Sequence, residues 1–173
     1  MSRTPECDRD SALRQIPSGL FVLTSRYEDS RDATLVKWVQ QCALMPPMVM
    51  VAMERGLRID PLIRDSRSFA LCQISADDRY LICKFSQELE PDEDPLVSLL
   101  TTTAPSGSPI LDRAISFLDC EVVRHIELDA DYRIYVGQVH HGAVLRQGVP
   151  AVRYGSNGTC DQHGTCDQNG TPH

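Results

Sequence analysis

Seven cysteines, five histidines and a lysine set in an otherwise apolar run are the side chains of this 173-residue chain that could do chemistry. The cysteines, Cys7, Cys42, Cys72, Cys83, Cys120, Cys160 and Cys166, form an odd set with no Cys-x-x-Cys pair. Cys42, Cys72, Cys83 and Cys120 have apolar neighbours, which raise a thiol's pKa and keep it inert, so they read as reduced core thiols in a reducing compartment. Of the histidines, the adjacent His140 and His141 point to opposite faces of a strand and do not chelate one ion together. Cys160, His163, Cys166 and His173 can be drawn as a zinc site, but the glycine-rich polar repeats around them supply no second shell to orient ligands, and no metal is expected.

The chain has no Gly-x-Gly-x-x-Gly, no phosphate-cradling Gly-Lys-Ser/Thr loop, no Gly-x-Ser-x-Gly elbow and no His-Glu-x-x-His. That leaves ATLVKWVQQCALMPPMVMVAM, residues 33–53, which carries a lysine, a tryptophan and two glutamines and is broken by Pro46-Pro47. Alternation from Thr34 puts Thr34, Val36, Trp38 and Gln40 on one face and Leu35, Lys37, Val39 and Gln41 on the other, until the proline pair ends the ladder. On pattern alone Lys37 and the glutamines are the solvent face of an edge strand with Trp38 in the core, and no function follows.

The elements that must position these residues are short. Residues 9–16 read as a helix with Ser11 as N-cap, stopped by Pro17. Strands are expected at 20–25, 33–43, 48–53 and 68–75, and residues 48–53 are apolar throughout, which predicts cover on both faces. Asp60 followed by Pro61 predicts a helix N-cap, and residues 77–87 a second helix behind acidic residues. Two long strands, 115–126 and 132–145, flank the turn LDAD, the first alternating Leu118, Cys120 and Val122 with Asp119 and Glu121. Six or seven short strands with a few short helices that never alternate regularly predict a mainly β fold, an antiparallel closed or split barrel. The expected organisation is an N-terminal segment 1–18, a domain 19–154, and a disordered polar tail 155–173 containing GTCDQ twice.

Seventeen basic against 24 acidic residues give a net charge of −7, and no basic block occurs, so neither nucleic acid nor an anionic membrane surface is an expected partner. The polar N-terminus and the absence of a membrane-length apolar run predict a cytoplasmic protein.

The order of segments carries a resemblance. SGLFVLTS, residues 33–43 with Trp38 and Gln41 before Pro46-Pro47, MVMVAMERG, LIRDSRSFAL, a helix ending in CKFS, GSPIL, FLDCEV and YRIYVGQV follow one another over residues 12–154. In this order they resemble the flavin reductase-like family of FMN-binding split barrels.

The resemblance implies a Greek-key antiparallel split barrel, usually a homodimer with flavin near the subunit interface, lying across residues 33–43. Thr34 would face the phosphate, Lys37 and Trp38 would lie alongside, and Gln41, Cys42 and Ala43 would approach the isoalloxazine ring, mainly by backbone groups that suit its acceptors. Arg55 and Arg58 could reach the phosphate, or be ordinary surface arginines. Lys84 and Phe85, with Ser86, match the family's basic-Phe-Ser segment near the flavin, though Phe85 also fits a core position and Lys84 a solvated one. The cofactor implied is FMN, with FAD an alternative, and NAD(P)H is the implied hydride donor, with free flavin or a partner protein as acceptor.

Two departures stand out. Ala130-Asp131-Tyr132 replaces the frequent Gly-Asp-His, removing the histidine often placed near the nicotinamide, and Lys37 replaces a serine in the frequent Met-Thr-x-Ser-Trp run. An FMN-binding electron-transfer or sensing module without its own reductase activity is therefore the alternative to a reductase. A barrel that has lost flavin and persists as an interaction protein is a third.

Overall fold

The computed structural model describes residues 8–87 and 93–154. The expected polar tail beyond residue 154, with the zinc alternative drawn on it, and Cys7 at the other end lie outside the described residues.

Helix α1 (Arg9–Leu13) is capped by Asp8, whose carboxylate accepts from the Ser11 backbone N–H, so Ser11 sits inside the helix and is not its cap. Strand β1 (Pro17–Gly19) pairs with β11 (Val152–Tyr154), tying the start of the chain to the end of the described segment. Then come β2 (Phe21–Tyr27), β3 (Ser30–Val36), β4 (Trp38–Leu44) and β5 (Pro47–Glu54). Helix α2 (Ile59–Ser66), β6 (Ser68–Gln73) and helix α3 (Arg79–Ser86) precede the short pair β7 (Thr101–Thr103) and β8 (Pro109–Leu111). The long hairpin β9 (Ser116–Glu127) and β10 (Tyr132–Val144) follows.

Seven strands form one antiparallel sheet in the order β3-β2-β6-β9-β10-β5-β4. Its two edge strands are consecutive in the chain and joined by Lys37 alone. A single residue spans only about 3.5 Å, so the sheet must curl until its edges meet. No ladder hydrogen bonds close the seam, which makes this a split barrel and not a closed one.

The barrel interior holds Leu23, Val36, Val51, Met53, Phe69, Leu71, Cys120 and Tyr135. Gly137 lies on β10 where a Cβ would come within 2.6 Å of the Phe69 ring and 2.9 Å of Cys120 Cβ, so only glycine lets this wall approach Phe69. A second core covers part of the outside: Val22, Ala33 and Cys72 from the sheet pack against Leu81 and Phe85 of α3, Leu96, Ile110 and Leu111.

Three expectations change here. Residues 33–43 are two strands, and Lys37 shifts the alternation: Val36 and Val39 both pack on the barrel interior although they lie three apart. The proline pair sits at the turn where the β4–β5 ladder ends, but Pro47 itself opens β5 and makes the last pair, with Leu44, across a turn containing a cis Met45–Pro46 bond. Finally, residues 48–53 are covered on one face only. Val49, Val51 and Met53 point inward and Met50 stands 38% exposed, in an outward apolar sector with Trp38, Val123 and Ile126.

Candidate functional site

The break at Lys37 opens two adjoining hollows that share Thr34 and Leu57. The smaller, about 130 Å³, is lined by Val36, Lys37, Trp38, Ala52, Glu54 and Tyr132. The larger, about 350 Å³, is lined by Asp32, Gly56, Arg58, Phe85 and Gln87. Both lie where β3 hands over to β4 beside the loop after β5.

That loop is fixed from both ends. Gly56 has φ 83°, a left-handed conformation that glycine takes without a Cβ penalty. Two residues after Arg58, the buried Asp60 accepts from Arg133 Nη1 at 2.6 Å and from the Tyr135 hydroxyl, with Arg64 Nη2 at 3.3 Å. The sequence predicts Asp60 as a helix N-cap; it lies instead inside α2, whose N-cap position is Arg58, and it clamps the start of the helix to β10. An inward arginine on β10, two residues from an inward tyrosine, was the available signal, because a buried cation requires a carboxylate partner. Glu127, beside Arg133 Nη2 at 3.5 Å, extends the network to Arg55 at 3.0 Å and His125 at 2.9 Å.

Trp38 and Tyr132 form one aromatic wall, their ring centroids 4.6 Å apart at an interplanar angle of 47°. Burial raises the Tyr132 pKa above that of an ordinary phenol, and Glu54 and Asp131 reinforce it.

Asp32, missed in the sequence, sits in the wall of the larger hollow. Burial pushes its carboxyl above the usual carboxylate range and Asp94 adds to this, opposed by the Ala33 N–H and by Arg58. Arg58 Nη2 is 3.6 Å from Asp32 Oδ1 and donates to the Glu93 carbonyl at 3.0 Å. No sequence pattern marks Asp32, because its burial depends on α2 and the 93–94 segment folding over β3.

Of the residues singled out above, Thr34, Lys37, Trp38, Arg58 and Phe85 line the hollows. Gln41, Cys42 and Ala43 lie further along β4 at a register shift and line neither; Gln41 and Cys42 are exposed. Arg55 donates to the Leu128 carbonyl and pairs with Glu127 at the β9–β10 turn, outside both hollows. Lys84 is half-buried in the last turn of α3 and lines neither, while its neighbour Phe85 is at once core and wall.

The thiols divide. Cys72 and Cys120 are buried and pushed up to about 12, by burial in both cases, as expected for inert core thiols. Cys42, also expected in the core, is exposed because the register shift turns it out of the ladder. Among the described residues no group of three or more His, Cys, Asp or Glu could hold a metal ion, and no helix is long and apolar enough to cross a membrane.

Comparison with known proteins follows the same outline. The chain is 30% identical over 151 residues to diflavin flavoprotein A 1 of Synechocystis sp., which covers 86% of this chain but 26% of that protein. It thus spans about a quarter of the length of the curated relatives it matches. Among solved structures, an NADH:FAD oxidoreductase from Streptomyces globisporus superposes with a TM-score of 0.76 at 18% identity, covering 85% of this chain and 87% of that one. The styrene monooxygenase flavin reductase of Pseudomonas putida gives a TM-score of 0.71 at 20% identity, covering 83% and 90%. At such identities these two likenesses establish the fold. The family model described as "Flavin reductase like domain" matches residues 13–158, and the chain belongs to that family.

Proposed function

We propose that the chain is a flavin-dependent oxidoreductase of the NAD(P)H:flavin reductase type, taking FMN, with FAD the alternative, along the Lys37 junction. When bound, the flavin would supply the redox chemistry, hydride acceptance at N5 from NAD(P)H and delivery of the two electrons to an acceptor. The residues present fit such a group. The hollows combine an aromatic wall, Trp38 and Tyr132, with a hydroxyl at Thr34 and cations at Lys37 and Arg58, the mixture needed for a planar ring on a polar, phosphate-bearing tail. This juxtaposition carries the reading.

In it, Thr34, Lys37 and Arg58 receive the tail, Phe85 closes the larger hollow from the core side, and backbone groups of residues 41–43 approach the ring edge. A second copy of the chain would pack on the outward sector carrying Met50, Val123 and Ile126, next to Trp38. Such a homodimer would cover the ring and exclude water from it, and the acceptor is free flavin or a partner protein.

One observation favours the alternative, a flavin-binding module that does not itself oxidise NAD(P)H. The position where the family often has histidine is Tyr132, packed on Trp38, and a phenol, unlike an imidazole, does not titrate near neutral pH. The test is to mix flavin-loaded protein anaerobically with NADH and, separately, NADPH. Bleaching of the flavin absorbance with either one is expected. Persistent colour with both, while flavin stays bound, would reject the reductase and leave the binding module.

A further inference from the structure

We propose that a third hollow, where β6, β9 and β10 meet the β7–β8 loop, is a binding site for an alkylammonium group. It shares no lining residue with the two hollows at the Lys37 junction, and the proposal does not rest on the flavin reading.

The hollow measures about 450 Å³, and two buried polar side chains line it, Asp119, 3% exposed, and Ser68. Asp119 Oδ2 accepts from the Ser106 N–H at 3.1 Å, which pins the β7–β8 loop against β9 as one wall. Asp119 Oδ1 and Ser68 Oγ have no hydrogen-bond partner among the described residues. Ser68 stands opposite Glu121 in the β6–β9 ladder, one outward position along from Asp119. Buried polar groups are nearly always satisfied, so two unpartnered atoms on residues of one hollow mark a place where another molecule supplies the hydrogen bonds.

The backbone is shaped to the same end. Adjacent residues of a regular strand point to opposite faces, which is the sequence expectation for His140 and His141. A register shift between Val139 and His141 instead leaves His140 without a ladder partner on β9, and both histidines line the hollow. His140 Nε2 lies 3.1 Å from Glu121 Oε2, and His141 Nδ1 lies 3.7 Å from Asp119 Oδ2.

Charge selects the ligand. The carboxylates of Asp119 and Glu121 outnumber the one guanidinium in the lining, Arg67, which donates from Nη2 to the Val122 carbonyl at 3.0 Å. An anion would meet both carboxylates, and among the described residues no His, Cys, Asp or Glu group could hold a metal ion. An ionised carboxylate only accepts, and it gains most from a donor that carries positive charge. An ammonium offers three N–H donors on one atom, enough for Asp119, Ser68 and the Glu121 rim, and Pro105 supplies an apolar wall for an alkyl stem.

The test follows the histidine ring resonances of the full chain by NMR at neutral pH and constant ionic strength. n-Butylamine is added, with n-butanol as the uncharged control. The His140 and His141 signals should move saturably with a dissociation constant of about 1 mM or below, and butanol should bind at least about tenfold more weakly. His125, which pairs with Glu127 outside the hollow, should not move. Nα-acetyl-lysine methylamide presents the same cation on a peptide, so the tighter of the two ammonium probes tells a lysine side chain from a free amine. Asp119→Asn should weaken butylamine by about tenfold or more, and Glu121→Gln, at a side chain 60% exposed, by about threefold. No saturable shift up to about 20 mM butylamine, equal binding of butanol, or undiminished affinity in folded Asp119→Asn overturns the proposal. If Asp119→Asn does not fold, unchanged affinity in Glu121→Gln overturns it.

Discussion

The outward face of the sheet is finished differently in its two halves. On β3, β2 and β6 the outward residues Ala33, Val22 and Cys72 are buried beneath α3 and the 96–115 segment. On β9, β10, β5 and β4 the outward row that runs through Ile126, Ile134, Ala52 and Trp38 in register carries no such cover, and Trp38 and Ile126 are 42% and 43% exposed. The inward residues of both halves are equally dry, Leu23 and Val51 both at 0%. Strand quality therefore does not separate them. One half is completed by the chain itself, and the other presents apolar surface of the kind that a ligand or a second subunit removes from water.

Substitutions divide along the same line. Phe69→Ala, in the shared interior, should cost about 3–5 kcal/mol, since a fully buried ring leaves a cavity that a barrel cannot collapse. Urea unfolding checks this, and a loss near that of a surface change would mean that the interior is not one packed core. Gly137→Ala should cost about 1–3 kcal/mol by forcing the Phe69 ring away from β10.

On the covered half, Asp78 caps α3 by accepting from the Leu81 N–H at 3.2 Å and pairs with Arg113 at 2.8 Å. Burial opposes its ionisation, but the Arg113 hydrogen bonds, the Leu81 N–H and the charges of Arg113 and Arg146 outweigh it and hold the carboxyl below its usual value. A depressed carboxyl is protonated more readily in the unfolded chain, so the stability it contributes is present above the unfolded pKa, near 3.9, and is lost as pH falls through the folded value. Its share is about 1 kcal/mol, because Arg113 is half exposed to solvent. Asp78→Asn should flatten the acid limb of a stability–pH profile; an unchanged limb would remove Asp78 from the account of the covered half.

The smallest effect on folding is expected on the open half. Met50→Asp should alter monomer stability by about 0.5 kcal/mol or less, yet shift the sedimenting mass of the proposed homodimer to that of a monomer. A dimer that survives the substitution would place the interface elsewhere and leave the open half to the ligand.

Much of this architecture was legible in the residues. The alternation of Leu118, Cys120 and Val122 with Asp119 and Glu121 located β9 and its inward face, and the segment order from 12 to 154 located the family. The junction at Lys37 was not legible, because one linking residue reverses the phase of alternation without any glycine or proline to mark it. Asp60 was misread for a related reason: a short-range rule, aspartate before proline, competed with a contact 73 residues away in Arg133 and lost. The uniformly apolar run 48–53 concealed which of its faces is open, since the composition of a strand does not reveal whether a neighbouring segment, or anything else, lies over it. Of the candidate site, Thr34, Lys37, Trp38, Arg58 and Phe85 were within reach of sequence reasoning, while Asp32 and Leu57 enter through packing alone.

Trp38 is the single tryptophan of the chain and stands in the wall of the smaller hollow, which makes it a built-in probe of the central claim. Titrating FMN and riboflavin into the protein while following the tryptophan fluorescence intensity should give a saturable loss of most of the emission at one flavin per chain, because a flavin bound in this hollow would lie against the indole. An intensity that, corrected for flavin absorption, stays constant through flavin concentrations at which binding is independently measured would put the flavin elsewhere and contradict the proposed site.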